Sequence, residues 1–329
     1  MNDIKLSIIV LTYNHERYIK ECLDSIISQK VNFKYEVLVG NDNSPDSTKK
    51  ILDQYEKEYS QIFKIYNRKV NLGATKNYLD LLKKSCGEYV ILLEGDDYWT
   101  DKNKLSILVD FLDNNREYIG VFHKVNEVDE FGNIISTFPS LKIEKELYEI
   151  NSIEQFLKNS YKENRGQVIH IQSIMYRNIY INGLDERTEK YLTSGKMIAD
   201  VQTKLLILSK GKLKYLNKNM GNYRRIIKEG GTSFSSQSKD FLFEELIRVY
   251  TEINKYFEYK NNKIISKIID GIYIDKIRYY LLTNQTKNIF NDFSTFNNFR
   301  KMKIIIKLLN FYIKKSGKNI IKKVLRLNK

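Results

Sequence analysis

The segment Tyr89-Val-Ile-Leu-Leu-Glu-Gly-Asp-Asp97 is the most informative stretch of this 329-residue chain. Its first five residues form an apolar run, which predicts a buried strand of a parallel sheet. The run leads directly into Glu94, Asp96 and Asp97, so carboxylates follow the carboxyl end of the predicted strand. Ligands of open α/β sheets bind outside these strand ends, and we therefore expect a functional crevice here.

The same arrangement recurs upstream of this segment. Apolar runs at 7–11, 35–40 and 62–66 predict further strands, and a stretch with helical spacing of apolar residues follows each. The second helix is predicted to begin at Pro45 behind an N-cap at Ser44, and Thr75 can cap the third. This alternation predicts an α/β fold with a parallel sheet covered on both faces. The polar residues expected at the edge that carries the carboxylates are Thr12, Tyr13 and Asn14 after the first strand and Asp42 after the second.

Beyond Asp97 the alternation loosens, and after Gly230-Gly231 the pattern becomes wholly helical. We therefore predict a domain of residues 1–236 followed by a helical C-terminal region of residues 237–329. The elements predicted between Asp97 and Gly230 are a strand pair at 121–128 and 133–138, a helix at 152–158, a strand at 168–176, a helix at 197–208 and short strands at 213–216 and 220–224.

The formal net charge of +15 is concentrated at one end of the chain. Residues 300–329 contain eleven Lys or Arg and no Asp or Glu, whereas the remainder carries 44 basic and 40 acidic side chains. The two cysteines are too few for a disulfide framework, and the apolar run at 6–11 is too short for the core of a signal peptide. These features predict a cytoplasmic protein with reduced thiols.

Four segments, in this order and spacing, resemble the successive motifs of family 2 glycosyltransferases. They are Ser7-Ile-Ile-Val-Leu-Thr-Tyr-Asn14, Val39-Gly-Asn-Asp-Asn-Ser-Pro-Asp-Ser-Thr48, Asn71-Leu-Gly73 and Leu93-Glu-Gly-Asp-Asp-Tyr-Trp99. The resemblance covers roughly residues 5 to 235 and implies a GT-A fold, a Rossmann-like mixed sheet flanked by helices, with a helical C-terminal extension. It implies transfer of a sugar from a nucleotide-sugar donor, expected to be a UDP-sugar, to a glycan or lipid-linked glycan acceptor by single displacement with inversion.

By this resemblance, Glu94-Gly95-Asp96 is the family's Asp-x-Asp motif with Glu in its first position. Asp96 is then the expected ligand of a Mn²⁺ or Mg²⁺ ion that binds the donor diphosphate. Glu94 would reach the ribose or a metal-bound water, and Asp97 could exchange roles with Asp96. The alternative is that these residues form a solvated turn.

The resemblance also assigns donor contacts along the strand ends. Asp42 would accept a hydrogen bond from the base, usually uracil, although an Asx-turn or helix cap is an alternative role for it. Tyr13 would stack on or flank that base, with Thr12 and Asn14 beside it; Thr12 could equally finish the core. Lys76 lies where relatives often carry a basic residue near the donor phosphates, and a solvated helix lysine is the alternative.

Two further roles come from the second half of the domain. Asp200 corresponds to the carboxylate that accepts the proton of the acceptor hydroxyl in an inverting transfer, and stabilising its own helix N-terminus is the alternative. Tyr223-Arg224 resembles a segment that closes over the donor, so Arg224 or Arg225 is expected to contact phosphate. The family's following histidine is missing, and we expect no histidine ligand there.

The basic tail, residues 300–329, has apolar residues at helical spacing and lysines that interrupt them. A basic amphipathic helix can lie on an anionic membrane surface or pack against its own protein, and the sequence leaves both open. No nucleic-acid-binding signature accompanies the charge, so we expect no nucleic acid partner. The resemblance implies a cytoplasmic glycosyltransferase of bacterial surface-polysaccharide synthesis, and membrane contact through the tail would make it a peripheral membrane protein. A nucleotidyltransferase that makes nucleotide-sugars and a non-catalytic polyanion-binding protein are the alternatives.

Overall fold

The computed structural model describes residues 3–145, 147–162, 168–195, 199–226 and 237–285, together with 288–289, 292, 301 and 304–306. The chain divides into two units, Met1–Ser236 and Gln237–Lys329. The strands of the first unit are β1 (Leu6–Thr12), β2 (Tyr35–Asn41), β3 (Phe63–Asn67), β4 (Tyr89–Glu94), β5 (Tyr98–Trp99), β6 (Tyr118–Val128), β7 (Ile134–Phe138), β8 (Glu149–Ile150), β9 (Ile174–Arg177) and β10 (Lys212–Arg224). Its helices are α1 (Ile19–Ile27), α2 (Thr48–Glu58), α3 (Ala74–Lys84), α4 (Lys104–Asn114), α5 (Leu141–Glu144), α6 (Ile153–Lys162), α7 (Glu186–Leu192) and α8 (Asp200–Leu208).

These strands form one mixed sheet, which confirms the predicted α/β class. Its order is β3-β2-β1-β4-β9-β6-β10-β5, with β7 beside β6 and β8 beside β10. The strands β3, β2, β1 and β4 are parallel, and β9 is antiparallel to both β4 and β6. The parallel half therefore brings the carboxyl ends of β1, β2 and β4 to one edge.

Burial explains why the parallel strands read as continuous apolar runs. Every residue of β1 is buried, because helices cover both faces of a parallel sheet. On one face, α1 buries Ile19, Cys22, Leu23 and Ile26 in a core shared with β1, β2 and β4. This spacing is the apolar stripe that predicted the helix.

Two helices of the parallel half begin at other residues than predicted. Helix α2 begins at Thr48 rather than Pro45, because Ser44 bonds through its N–H and hydroxyl to the Asn41 side chain in a separate turn. The N-cap of α3 is Gly73 rather than Thr75. Its φ of +82° lies in the left-handed region that glycine adopts without strain.

The middle of the chain departs further from the prediction. The strand expected at 168–176 is confined to β9, and a 3₁₀ turn at Ile171–Ser173 precedes it. The two short strands expected at 213–216 and 220–224 are one irregular strand, β10. The sequence did not predict α4, α5, α7 or the two-residue strands β5 and β8.

The second unit contains the helices α9 (Lys239–Tyr256) and α10 (Asn262–Leu282). The Ser238 hydroxyl accepts the Phe241 N–H at 3.3 Å and caps α9. The predicted amphipathic tail lies mostly outside the described residues. Across the part of the chain that is described, no helix combines the length and apolar character needed to span a bilayer.

Candidate active site

The polar ends of the parallel strands come together at the edge of the sheet where β1 and β4 end. Leu11 of β1 is in register with Glu94 of β4, and the Leu11 carbonyl accepts the Gly95 N–H at 2.7 Å. The Thr12 carbonyl accepts the Asp42 N–H at 3.0 Å, which ties the end of β2 to the same edge. The expected convergence of these segments is therefore present in the structure.

Gly95 allows the acidic turn to approach the loop after β1 closely. A Cβ atom on Gly95 would lie 2.9 Å from both the Thr12 Oγ1 and the His15 Nδ1 atoms. The close approach places the Asp96 carboxylate beside the His15 ring, with 3.8 Å between Oδ2 and Nε2. Buried Thr12 Oγ1 and His15 Nδ1 have no hydrogen-bond partner among the described residues.

Asp97 points into the protein. Its Oδ1 accepts the Arg224 backbone N–H at 2.8 Å, and its Oδ2 accepts the Gln172 side-chain N–H at 3.0 Å. Burial, together with the charges of Asp96 and Glu94, raises the pKa of the Asp97 carboxyl well above its usual range. Asp97 is 1% exposed, and its hydrogen bonds support β10 and the segment before β9. Its expected exchange of roles with Asp96 at the donor stays a prediction.

Arg224 is likewise engaged by the protein itself. Its guanidinium donates to the Asp96 carbonyl and to the Glu21 carboxylate, both at 2.7 Å. The same group lies over the rings of Tyr18 and Tyr98, at 4.7 and 5.0 Å from their centroids. These contacts hold the Asp96 turn, and the expected phosphate contact of Arg224 stays a prediction.

The expected donor residues around the β2 end have different environments. The two carboxylate oxygens of buried Asp42 accept the backbone N–H groups of Leu72 and Gly73, at 2.7 and 2.8 Å. These bonds fix the turn at 71–73 and leave further lone pairs on each oxygen. Tyr13 is half-buried, whereas Asn14 and Lys76 are exposed. Their donor contacts stay predictions.

Asp200 is the first residue of α8 and interacts electrostatically with Glu94 at the end of β4. Its Oδ2 lies 4.0 Å from the Lys204 Nζ, and its Oδ1 is buried without a hydrogen-bond partner in the described part of the chain. Burial raises the pKa of the Asp200 carboxyl, and the Lys204 charge opposes that rise. Burial and the charges of Asp96 and Asp200 raise the pKa of Glu94 well above its usual range. The two acidic segments therefore interact electrostatically.

The described part of the protein offers few ligands for a divalent cation here, so the phosphate oxygens of the donor and water would have to complete the coordination. Among the described residues, no group of three or more His, Cys, Asp or Glu side chains is arranged to hold a metal ion. A cation bound to a nucleotide takes one or two carboxylates plus phosphate oxygens and water. The partly exposed Asp96 carboxylate, with His15 beside it, fits this smaller demand.

The sequence prediction missed three polar side chains at this site, namely His15, Gln172 and Lys204. His15 follows the polar end of β1 directly, so the strand-end rule that selected Thr12, Tyr13 and Asn14 could have included it. Lys204 follows Asp200 by four residues, which places both on one helix face. Nothing local marks Gln172, because its partners Asp97 and Asn222 are distant in sequence.

Comparison with known proteins gives consistent results. The family model described as "Glycosyl transferase family 2" matches residues 7–182. An uncharacterized protein of Mycobacterium tuberculosis is 37% identical over 172 residues, 52% of this chain and 46% of that protein. The poly(ribitol-phosphate) beta-glucosyltransferase of Bacillus spizizenii is 40% identical over 99 residues, 29% of this chain and 15% of that enzyme. The chain thus spans about half the length, or less, of these curated relatives.

Solved structures share the fold at low sequence identity. S. aureus TarS 1–349 in complex with UDP-GlcNAc matches with a TM-score of 0.64 and 22% identity, covering 98% of this chain and 90% of TarS 1–349. The mannosyltransferase PcManGT from Pyrobaculum calidifontis, in complex with GDP-Man and Mn²⁺, matches with a TM-score of 0.52 and 12% identity over 99% of this chain and 86% of its own.

Proposed function

The chain belongs to glycosyl transferase family 2 and has the GT-A fold, and from this premise we propose that it transfers a sugar from a UDP-sugar to a glycan acceptor. The complexes of TarS with UDP-GlcNAc and with UDP support a uridine donor. The similarity to a poly(ribitol-phosphate) glucosyltransferase supports an acceptor of the bacterial surface-polysaccharide type, free or lipid-linked.

The observation that carries the proposal is the pairing of two acidic segments with different surroundings. Asp96 is partly exposed at the sheet edge, beside the loops that follow β1 and β2. Asp200 interacts electrostatically with Glu94 of the same turn, and one of its carboxylate oxygens is buried and unpartnered among the described residues. Two carboxylate positions of this kind match the needs of a leaving diphosphate on one side and an attacking hydroxyl on the other.

In the proposed reaction, Asp200 acts as the general base. The acceptor hydroxyl oxygen forms a bond to the anomeric carbon from the face opposite the diphosphate, and its proton passes to the Asp200 carboxylate. The bond from the anomeric carbon to the diphosphate oxygen breaks, and the nucleoside diphosphate leaves with that electron pair. The anomeric configuration is inverted. Burial raises the pKa of Asp200 and so makes its carboxylate a stronger base at neutral pH.

Asp96, together with His15, would hold a Mn²⁺ or Mg²⁺ ion, which neutralises charge on the diphosphate when bound. Asp42, fixed by the turn at 71–73, would accept a hydrogen bond from the uracil through a remaining lone pair. Tyr13 would flank the base. The buried contacts of Arg224 and Asp97 then keep Asp96 in place.

Thermal unfolding with a panel of nucleotide-sugars tests donor and cation together. We expect one or a few UDP-sugars to raise the melting temperature, and to do so only with Mn²⁺ or Mg²⁺, because only ligands of the folded state stabilise it. Asp96→Asn should lose this cation-dependent stabilisation. Donor stabilisation that is equal without a cation would contradict the metal assignment.

Turnover of the selected donor tests the base. Asp200→Asn should keep the donor-induced shift in melting temperature and lose at least about a hundredfold in transfer or donor hydrolysis, as expected for removal of a general base. The anomeric configuration of the product, read by NMR, reports inversion. A panel that gives neither stabilisation nor turnover would contradict the proposed function.

A further inference from the structure

Two buried lysines lie next to the candidate site, and the proposed reaction gives neither of them a role. Lys104 of α4 and Lys204 of α8 have 0% and 1% of their surfaces exposed. Each donates from Nζ to a backbone carbonyl of the segment before β9, Lys104 to Gln172 and Lys204 to Ile169, both at 3.0 Å. A buried ammonium group is destabilising unless an opposite charge lies near it, so each lysine is expected to interact with a carboxylate.

The two lysines differ in the carboxylate that they face. Lys204 follows Asp200 by one helical turn, and its Nζ lies 4.0 Å from the Asp200 Oδ2. Lys104 lies over the Trp99 ring, with its Nζ 4.3 Å from the ring centroid. Burial lowers the pKa of the Lys104 ammonium group well below its usual range, and the charge of Asp97 opposes that shift. The pair therefore offers a matched comparison of two buried lysines with equivalent tethers.

The other titratable groups that face Asp200 work against its ionisation or are neutral. Glu94, from the end of β4, is close enough for the two carboxylates to interact unfavourably. Tyr78 of α3 is neutral, since burial raises its pKa to about 12. Among the described residues that interact with Asp200, Lys204 supplies the compensating positive charge. Burial lowers the pKa of the Lys204 ammonium group, and the charges of Asp200 and Glu94 oppose that shift.

We propose that Lys204 is a positioning residue for the transfer reaction: tethered to the Ile169 carbonyl, its ammonium group keeps the Asp200 carboxylate ionised and in place beside Glu94. The inference rests on the proposed function, because it gives Asp200 the role of base. It adds a buried residue that acts on the reaction through Asp200. The tether fixes the ammonium between the helix that carries the base and the segment that leads into β9.

The pH dependence of kcat, at saturating donor and cation, tests this role. Lys204→Gln keeps a hydrogen-bond donor for the Ile169 carbonyl and removes the charge. Without the positive charge of Lys204 the pKa of Asp200 rises, so the acid limb of the kcat profile should move to higher pH by about one unit or more. Lys104→Gln, the matched control, should leave the position of that limb unchanged, since Lys104 faces Asp97.

The outcomes separate this inference from the proposed function. An active Lys204→Gln enzyme with the wild-type acid limb, or an equal displacement in Lys104→Gln, overturns the role of Lys204 and leaves the transfer reaction standing. A wild-type protein without transfer overturns the proposed function itself.

A measurement on the wild-type protein covers the case in which Lys204→Gln does not fold. The carboxyl ¹³C resonance of Asp200, assigned by its loss in Asp200→Asn, should be at the ionised position at pH 7. A protonated Asp200 at pH 7 overturns the inference.

Discussion

Arg224 holds Asp96, the candidate cation ligand, by a hydrogen bond to its backbone carbonyl, and two tyrosine rings lie against the Arg224 guanidinium. Its guanidinium lies over the rings of Tyr18 and Tyr98 and donates to the Asp96 carbonyl. A lysine in its place would lose the planar fork and the stacking. Arg224→Lys should therefore lower the free energy of unfolding by about 1–3 kcal/mol and reduce kcat/KM at least about tenfold, measured by urea denaturation and donor turnover.

The neighbouring residue supplies the control for this prediction. Arg225 is 44% exposed and pairs with Glu127 at 3.0 Å, so Arg225→Lys should change the free energy of unfolding by no more than about 0.5 kcal/mol. Equal stability losses in the two variants would show that the contacts of Arg224 have no special weight.

At the scale of single residues, the sequence predicted which side chains converge at one edge of the sheet better than it predicted their contacts within the protein. Asp96, Asp42 and Thr12 were found because carboxyl ends of parallel strands share one edge. The internal partners of Asp97 and Arg224 could not be read from the sequence, because both depend on the fold of β10 and the segment before β9. Adjacent carboxylates look alike in a sequence, whereas burial separates Asp97 from Asp96.

Glu36 connects three elements of the parallel half. Its buried carboxylate on β2 accepts hydrogen bonds from the Ser7 hydroxyl of β1, the Lys64 ammonium of β3 and the Cys86 N–H before β4, at 2.7 to 3.0 Å. Burial alone would raise the pKa of Glu36, but the hydrogen bonds from Cys86, Lys64 and Ser7 outweigh it and hold the pKa below 4.5. Its contribution to stability is therefore present above pH 4.5 and is lost as the pH falls through the folded-state pKa.

Glu36→Gln should destabilise the protein by about 1–3 kcal/mol at neutral pH, since the amide nitrogen cannot accept hydrogen bonds. The difference from wild type should shrink below pH 4.5, as followed by urea denaturation across pH. Glu88→Gln is the control, because Glu88 is 51% exposed in its pair with Lys5 and should matter little. A difference that stays constant down to low pH would contradict the assignment to the ionised carboxylate.

The sequence predicted the helices and strands best where the sheet is covered on both faces and each element packs against its neighbours in sequence. The strands β1 to β4 and the helices between them were foreseen, because each carries its own apolar run or stripe. Strand β9 was overextended, because the buried residues 168–173 read as strand although the chain makes a 3₁₀ turn there. The bulged β10 was divided in two, because its pairing partners are distant in sequence.

At the scale of the whole molecule, the positive charge is concentrated in the C-terminal tail, far in sequence from the residues of the candidate site. Most of the formal net charge of +15 comes from residues 300–329, which have eleven basic and no acidic side chains. Basic residues near an anionic bilayer contribute about 1 kcal/mol each, and the apolar residues at helical spacing add burial in the interface. We therefore expect the full chain to bind phosphatidylglycerol vesicles but not phosphatidylcholine vesicles, and to be released by high salt.

Removal of residues 308–329 tests this expectation without disturbing the buried Ile304 and Ile305. The truncation removes seven of the eleven basic residues and should abolish sedimentation with anionic vesicles. Replacing Leu308 and Leu309 by Ser keeps every charge; binding should weaken at least about tenfold if the apolar stripe enters the interface. Vesicle binding that survives the truncation would place the membrane contact elsewhere, whereas binding that is unaffected by the serine substitutions would reduce the tail to a purely electrostatic anchor.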